Sequence, residues 1–423
     1  MKIVKRINII FIIFILIIFS FCNNIYAEID NEEINYNELI YDENDLEVSA
    51  EPIKEPSISS RAAVVIDRKT GLVLYEKNSN DVRKMASTTK IMTAIVVLEN
   101  TPNLSKTVTV SKKAASTGGS ILGLRTNDKI TINDLLYGLM LKSGNDTAVA
   151  LAEAVGGSVE GFAVLMNNKA KELGLENTHY VTPHGLDSEE HYTTAYELAK
   201  LANYALNNKK FLEIVGTKNY TVTVSGRSIN VSNGNELLGY FSGVYGVKTG
   251  FTNGANRCLV TACKRDNIDI ISVVLGADTK TIRTKDSMNI LNYVFKNFKY
   301  MDLESKIENA FSEWEDSNFV EVIKGQNLYV TLKMGTIRYP QTLLKESDMN
   351  NININFECID ILEAPVYENT KIGKTIVLMG DKEFFTVDIL VEKTIDRKNV
   401  YDNIYEIIKG IKKFMLESNS LNN

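Results

Sequence analysis

Ala86-Ser87-Thr88-Thr89-Lys90 opens a long helical pattern, and the reading of this stretch decides the fold. On a helix, residues three apart share a face, and side chains lean toward the amino terminus. Lys90 therefore points back at Ser87. A serine hydroxyl is a weak nucleophile until a base takes its proton. A lysine can be that base only when neutral, which requires burial or a second nearby cation. The free N–H groups of a helix start also favour negative charge developing at Ser87. Taken alone, a Ser-x-x-Lys is a common pattern whose ordinary meaning is a cap or an exposed helix face.

Two further stretches change its weight. Lys142-Ser143-Gly144-Asn145-Asp146 sits between two helical patterns, a loop placement suited to presenting side chains into a cleft. Ser143 can relay a proton, and Asn145 offers both an amide donor and an acceptor for a peptide bond. Gly246-Val247-Lys248-Thr249-Gly250-Phe251-Thr252 precedes a run of strands. Lys248 and Thr249 bring a cation and a hydroxyl for a carboxylate. Gly250 allows a substrate backbone to approach. A cation at Lys248 would also help to keep Lys90 neutral.

Outward from these stretches, strand character at Arg61–Asp67 and Leu72–Glu76 precedes helical patterns at 132–141, 146–155, 159–173 and 194–206. Strands return at 220–225, 257–263 and 268–275. Strands, then helices, then strands predict an α+β unit, an antiparallel sheet with a helical cluster, over 57–298. Short strand-like runs at 319–323, 328–332, 352–356, 375–378 and 384–389 predict a small all-β, sandwich-like domain over 299–395. In the final segment, 396–423, Ile404, Ile407, Ile408, Ile411, Phe414 and Met415 share one face of a helix, with Lys409 and Lys413 opposite. That periodicity fits a helix lying in a membrane interface and equally a helix docked on the β domain.

The amino terminus carries an export address. Lys2, Lys5 and Arg6 precede an apolar run from Ile9 to Phe21, and Ala27 ends a small cleavage motif, the layout of a signal peptide over 1–27. Phe21 directly before Cys22 argues against lipidation. Residues 28–56 hold eleven acidic side chains and one lysine, so they read as a solvated linker. Over the 423 residues the net charge is −6 with no basic block, a poor basis for nucleic-acid binding. Loss of the leader would leave Cys258, Cys263 and Cys358, which make no disulfide framework; buried free thiols are the expectation.

Ser-x-x-Lys, Ser-x-Asn and Lys-Thr-Gly in this order resemble the motif set of penicillin-binding proteins and class A β-lactamases. Gly185-Leu186, His191-Tyr-Thr-Thr-Ala195 and Leu362-Glu-Ala-Pro365 are similar to the low-molecular-weight D-alanyl-D-alanine carboxypeptidases. The resemblance implies a penicillin-binding, β-lactamase-like catalytic domain, a small β domain and a closing amphipathic anchor, and so favours the membrane reading. It implies Ser87 as nucleophile, Lys90 as base and Ser143 as proton relay. Asn145, Lys248, Thr249, Gly250 and Phe251 would bind substrate, with the N–H groups of Ser87 and Phe251 as oxyanion hole. The implied partners are peptidoglycan stems ending in D-Ala-D-Ala and β-lactam antibiotics, without metal or cofactor.

Ala255-Asn256-Arg257 departs from the small residues and aromatic that many relatives carry after Lys-Thr-Gly. A class A β-lactamase would need a Glu-x-x-Leu-Asn that the sequence does not contain. A transpeptidase differs only in whether an amine or water accepts the acyl group. A non-catalytic envelope-binding scaffold would be favoured by loss of a motif residue. His179, His184 and His191 cluster in sequence but fit no metal spacing, and Asp146 and Asp187 read as capping or turn residues.

Overall fold

Three strands after the helical region complete a sheet that the first hairpin begins. The computed structural model describes residues 32–34, 39 and 54–420. The expected signal peptide and most of the acidic segment lie outside the described residues. The chain divides into two compact units, Met1–Asn297 and Phe298–Asn423.

In the first unit, Ala62–Asp67 (β1) and Val73–Lys77 (β2) form the expected hairpin. Val244–Thr252 (β3), Asn256–Arg265 (β4) and Ile268–Ala277 (β5) add the rest. The order is β2-β1-β5-β4-β3, with every neighbouring pair antiparallel. Residues 258–263 of β4 and 270–277 of β5 are continuously buried, so these strands carry apolar residues on both faces. Ala195–Ala205 packs on β1 and β5, and Lys280–Asn297 packs on β4 and β5. Cys258 and Cys263 stand five residues apart on β4 and therefore on opposite faces. Both are free thiols whose burial pushes their pKa up to about 12.

A 3-10 turn, Ala86–Thr89, leads into Lys90–Asn100 (α1). Every residue of α1 from Lys90 to Val97 is buried. Its sequence, Lys-Ile-Met-Thr-Ala-Ile-Val-Val, is apolar on nearly every side, as a helix enclosed by others requires. Ile132–Leu141 (α2) starts behind Thr131, whose hydroxyl accepts from the Asp134 N–H. Asn145–Gly156 (α3) follows after only three residues, so the Ser143-Gly144-Asn145 stretch is a tight corner between two packed helices. Val159–Glu172 and Ala195–Ala205 match their expected spans to within a residue or two, behind Ser158 and Thr194 caps.

Lys280–Asn297 has no counterpart among the expected helices. Its first half buries Arg283, Thr284, Asp286 and Ser287, so no apolar stripe runs its whole length. These polar groups find partners mostly far away in sequence: Asp286 accepts from the Ser60 N–H and hydroxyl, and Arg283 pairs with Glu236.

The second unit has a four-stranded antiparallel sheet built from Leu332–Met334, Lys382–Val391, Lys371–Met379 and Ile352–Cys358, in that order. The expected strand over 328–332 is present only from Leu332. The unit also contains an unanticipated helix, Leu303–Glu315, whose Leu303 and Ile307 are buried with Val377 and Val387. The last helix, Val400–Ser420 (α4), leaves Ile404, Ile407, Ile408, Ile411, Phe414 and Met415 all exposed. The β domain does not cover that face. Among the described residues no single helix is long and apolar enough to cross a membrane.

Candidate active site

Ser87 lies on the 3-10 turn at the entrance to α1, and the turn is held under local strain. Ala86, just before it, has φ of 49°, in the left-handed region that L-residues avoid. Two glycines make this turn possible. A side chain at Gly185 would meet the Ala86 carbonyl at 2.0 Å, and Gly185 itself has φ of 87°. A side chain at Gly250 would stand 3.0 Å from the Ser87 nitrogen. Gly250 thus lets strand β3 press against the helix start, a tighter reason for glycine than approach by substrate.

Lys90 is fully buried beneath Ser87. Its Nζ lies 2.8 Å from Ser87 Oγ, 2.8 Å from Asn145 Oδ1 and 2.9 Å from the His184 carbonyl oxygen. Burial holds its pKa well below the usual lysine value, and repulsion from Lys248 adds to this; Asp146 opposes it. The order matters: desolvation leads and the second cation assists. Lys248, on β3, is also buried, and burial brings its pKa down to about 7. Its Nζ donates to the Thr249 carbonyl at 2.9 Å.

Asn145 is fixed on three sides. Its N–H donates to the Ser120 carbonyl at 2.7 Å, its Nδ2 to the Gly118 carbonyl at 2.8 Å, and its Oδ1 faces Lys90. Asp146 accepts from the N–H groups of Leu122, Gly123 and Leu124, which pins the 120–124 loop to the head of α3. A side chain at Gly144 would meet Thr147 Oγ1 at 2.7 Å and Asp146 Oδ1 at 2.8 Å, so a larger residue at this corner would have to displace them. Ser143, at φ of 59°, is like Ala86 a non-glycine residue in the left-handed region.

These groups converge on one cavity of about 590 Å³, lined by Ser87, Ser120, Ser143, Thr249, Gly250 and Phe251 among others. Lys90 and Asn145 lie just beneath its floor. Of the eight site residues expected from sequence, five line this cavity, Lys90 and Asn145 are bonded to each other beneath Ser87, and Lys248 adjoins Thr249. Sequence reasoning missed the His184 carbonyl, Gly185 and the Glu236–Arg283 pair at the cavity wall. A backbone oxygen leaves no mark in a sequence. Gly234 also lines the cavity, and Asn235 ties this loop to β3 by donating to the Gly246 carbonyl.

The histidines have structural work. His191 Nδ1 accepts from the Val181 N–H at 3.0 Å, so its Nε2 carries the proton and donates to Thr89 Oγ1 at 2.8 Å. Burial brings His191 to about 4 and His184 to about 3, so both are neutral at pH 7. Asp187 accepts from Thr252 Oγ1 and the Gly254 N–H, a turn role. Among the described residues no cluster of His, Cys, Asp or Glu could hold a metal ion.

A model of the D-alanyl-D-alanine carboxypeptidase family (peptidase S11) matches residues 49–279. The chain belongs to that family. A model of the penicillin-binding protein 5 C-terminal domain matches residues 295–397. The chain is 36% identical over 331 residues to the D-alanyl-D-alanine carboxypeptidase DacF of Bacillus subtilis, covering 77% of this chain and 82% of that one. Among solved structures, the D-alanyl-D-alanine carboxypeptidase DacD from Francisella tularensis superposes with a TM-score of 0.67 at 25% identity, covering 85% of this chain and all of that one. The Streptomyces K15 DD-transpeptidase superposes with a TM-score of 0.56 at 37% identity over 57% of this chain and 99% of its own. The enzyme is accordingly a serine-type peptidase with the penicillin-binding fold.

Proposed function

We propose that Ser87 attacks the carbonyl carbon between the last two residues of a peptidoglycan stem ending in D-Ala-D-Ala, releasing D-alanine and forming an acyl-enzyme that water then hydrolyses. One observation carries the assignment of Lys90 as base. A neutral amine has two N–H donors and one lone pair. Asn145 Oδ1 and the His184 carbonyl are acceptors only toward Lys90, so they take the two donors. The lone pair is left for the third partner, the Ser87 hydroxyl. Nothing has to move for the proton to pass.

The remaining roles follow from chemistry and position. Ser143 passes a proton to the nitrogen of the departing D-alanine. Asn145 Nδ2 is engaged by Gly118, so Asn145 contributes chiefly by holding Lys90 and the stem backbone in register. Lys248 and Thr249 hold the terminal carboxylate. The N–H groups of Ser87 and Phe251 face the oxyanion as it forms, where preorganised donors act most strongly. β-Lactams acylate the same serine and inhibit. We further propose export by the leader over 1–27, a spacer over 28–56 and a catalytic unit over 57–298. A β domain over 299–395 follows, and a helix over 396–423 attaches to the outer face of the cytoplasmic membrane. The exposed apolar face of α4, with lysines opposite, supports that attachment.

The test is D-alanine release from a pentapeptide stem. Wild type should release one D-alanine per stem and Ser87→Ala none; release by Ser87→Ala at the wild-type rate would overturn the assignment. Removing residues 399–423 should free the protein from membranes, and unchanged sedimentation with them would refute the anchor.

A further inference from the structure

The acidic segment before the catalytic unit reads as a linker, yet part of it forms a wall of the active-site cavity. Glu32, Glu33 and Ile34 line the same cavity as Ser87. The Glu32 carboxylate lies 2.6 Å from Arg257 Nη2 and accepts from the Lys280 N–H at 3.1 Å. Lys280 Nζ donates to the Glu32 carbonyl at 2.6 Å. Leu39 is buried, and its carbonyl accepts from the Tyr240 hydroxyl at 3.1 Å. The segment is thus tied down at two points on the catalytic unit.

The docking point is built rather than incidental. The Arg257 side chain is only 14% exposed, and its guanidinium lies 4.5 Å from the ring centre of Phe251, a cavity residue. Arg257 is also the position at which the sequence departs from the pattern of many relatives. Lys280 opens the helix that carries Arg283, another cavity residue. A solvated acidic linker has no reason to leave water for a cleft unless the cleft holds a place for its charge. Arg257 and Lys280 provide that place. A stem peptide offers the same chemistry, carboxylates on a short backbone.

We propose that residues 32–34 are an intramolecular occupant of the substrate cleft, docked through Glu32 on a carboxylate subsite formed by Arg257 and Lys280, which an acidic stem must displace to reach Ser87. The proposal rests on the reading of the cleft given under Proposed function. Cleavage of the leader after Ala27 would leave the strap in the mature chain. Glu32 is 28% exposed, so its ion pair is partly screened and the strap is weak. Apparent affinity for substrate falls by the fraction of molecules with the cleft open, and one such contact lowers that fraction by about fivefold.

Two measurements decide it, both on the full chain and its Glu32→Gln variant. Hydrogen exchange reads the strap without reference to catalysis. The Lys280 amide, which donates to the Glu32 carboxylate, should exchange about fivefold more slowly in wild type than in Glu32→Gln; equal exchange in the two would overturn the strap. Penicillin labelling at limiting concentration reads its consequence. Glu32→Gln should label about fivefold faster at low salt, with the difference gone at about 0.5 M salt, where exposed charges are screened. Equal rates at low salt would overturn the gating. Absence of adduct in both proteins would remove the assigned function instead, and hydrogen exchange would still decide the strap.

Discussion

The catalytic unit buries two lysines, whereas the last helix exposes a stripe of isoleucines. Both invert the usual partition of charge outward and apolar surface inward, and both inversions bear on the proposed function. Lys90 and Lys248 lie in the interior, where ionised groups are costly. On the proposed mechanism, that cost is what would make Lys90 a base, since desolvation favours the neutral amine. Ile407, Ile408 and Ile411 of α4 stand in water, where apolar surface is unfavourable. That cost is what would drive the helix into a lipid interface. In one region the protein supplies the environment that changes the residue; in the other the residue waits for an environment the protein does not supply.

The largest effect should come from cancelling the first inversion. Lys90→Met replaces the buried amine with an apolar chain of similar length. Acylation by penicillin should fall by at least about 10³-fold, as when other nucleophile–base pairs are broken. The melting temperature should fall, because the buried acceptors Asn145 Oδ1 and the His184 carbonyl lose their donor at a cost of about 1–3 kcal/mol each. A variant that labels normally would break the contrast between the two regions.

Next comes the packing that carries the site. Gly185→Ala puts a methyl 2.0 Å from the Ala86 carbonyl at a left-handed backbone position. It should destabilise the catalytic unit by about 2–4 kcal/mol, combining backbone strain with overpacking. Denaturant titration checks this, and an unchanged midpoint would refute the close approach. A smaller effect tests the second inversion. Ile407→Glu with Ile408→Glu should weaken binding to anionic vesicles by about tenfold or more, through lost apolar burial and added repulsion. D-alanine release from a soluble stem should stay unchanged. Equal vesicle binding would leave the exposed stripe without its proposed purpose.

The smallest effect concerns Lys248. On the proposed mechanism its charge holds the substrate carboxylate, and burial brings its pKa down to about 7. Below that value the cation is present; as pH rises through it, the cation is lost and carboxylate binding weakens. KM should therefore rise about fivefold between roughly pH 7 and 8.5, with kcat less affected. A flat KM would show that the carboxylate is held without Lys248.

The motif residues were legible because each is bland alone and specific in order, and helix geometry already aimed Lys90 at Ser87. The helices 132–141 and 195–205 were legible because their apolar period is undisturbed. Lys280–Asn297 was not, because its first half buries Arg283, Thr284 and Asp286, which pair with groups distant in sequence. Residues 328–331 alternate like a strand, but they pair with 320–322 only through an isolated bridge, Glu321 with Tyr329, and the continuous strand begins at Leu332. Alternation records which faces are apolar and says nothing of how far a partner edge runs. Glu32 was legible only as one acid among eleven. Its position depends on Arg257 and Lys280, more than two hundred residues away.

The central claim is that Lys90 is neutral at working pH because it is buried. The first-order rate of acylation at saturating penicillin, followed across pH, tests this most directly. The rate should climb as Lys90 loses its proton and reach its plateau well below the ordinary lysine value of about 10.4. A rate still rising tenfold per pH unit as pH approaches 10 would mean an ordinary ammonium beside Ser87, and would contradict the account.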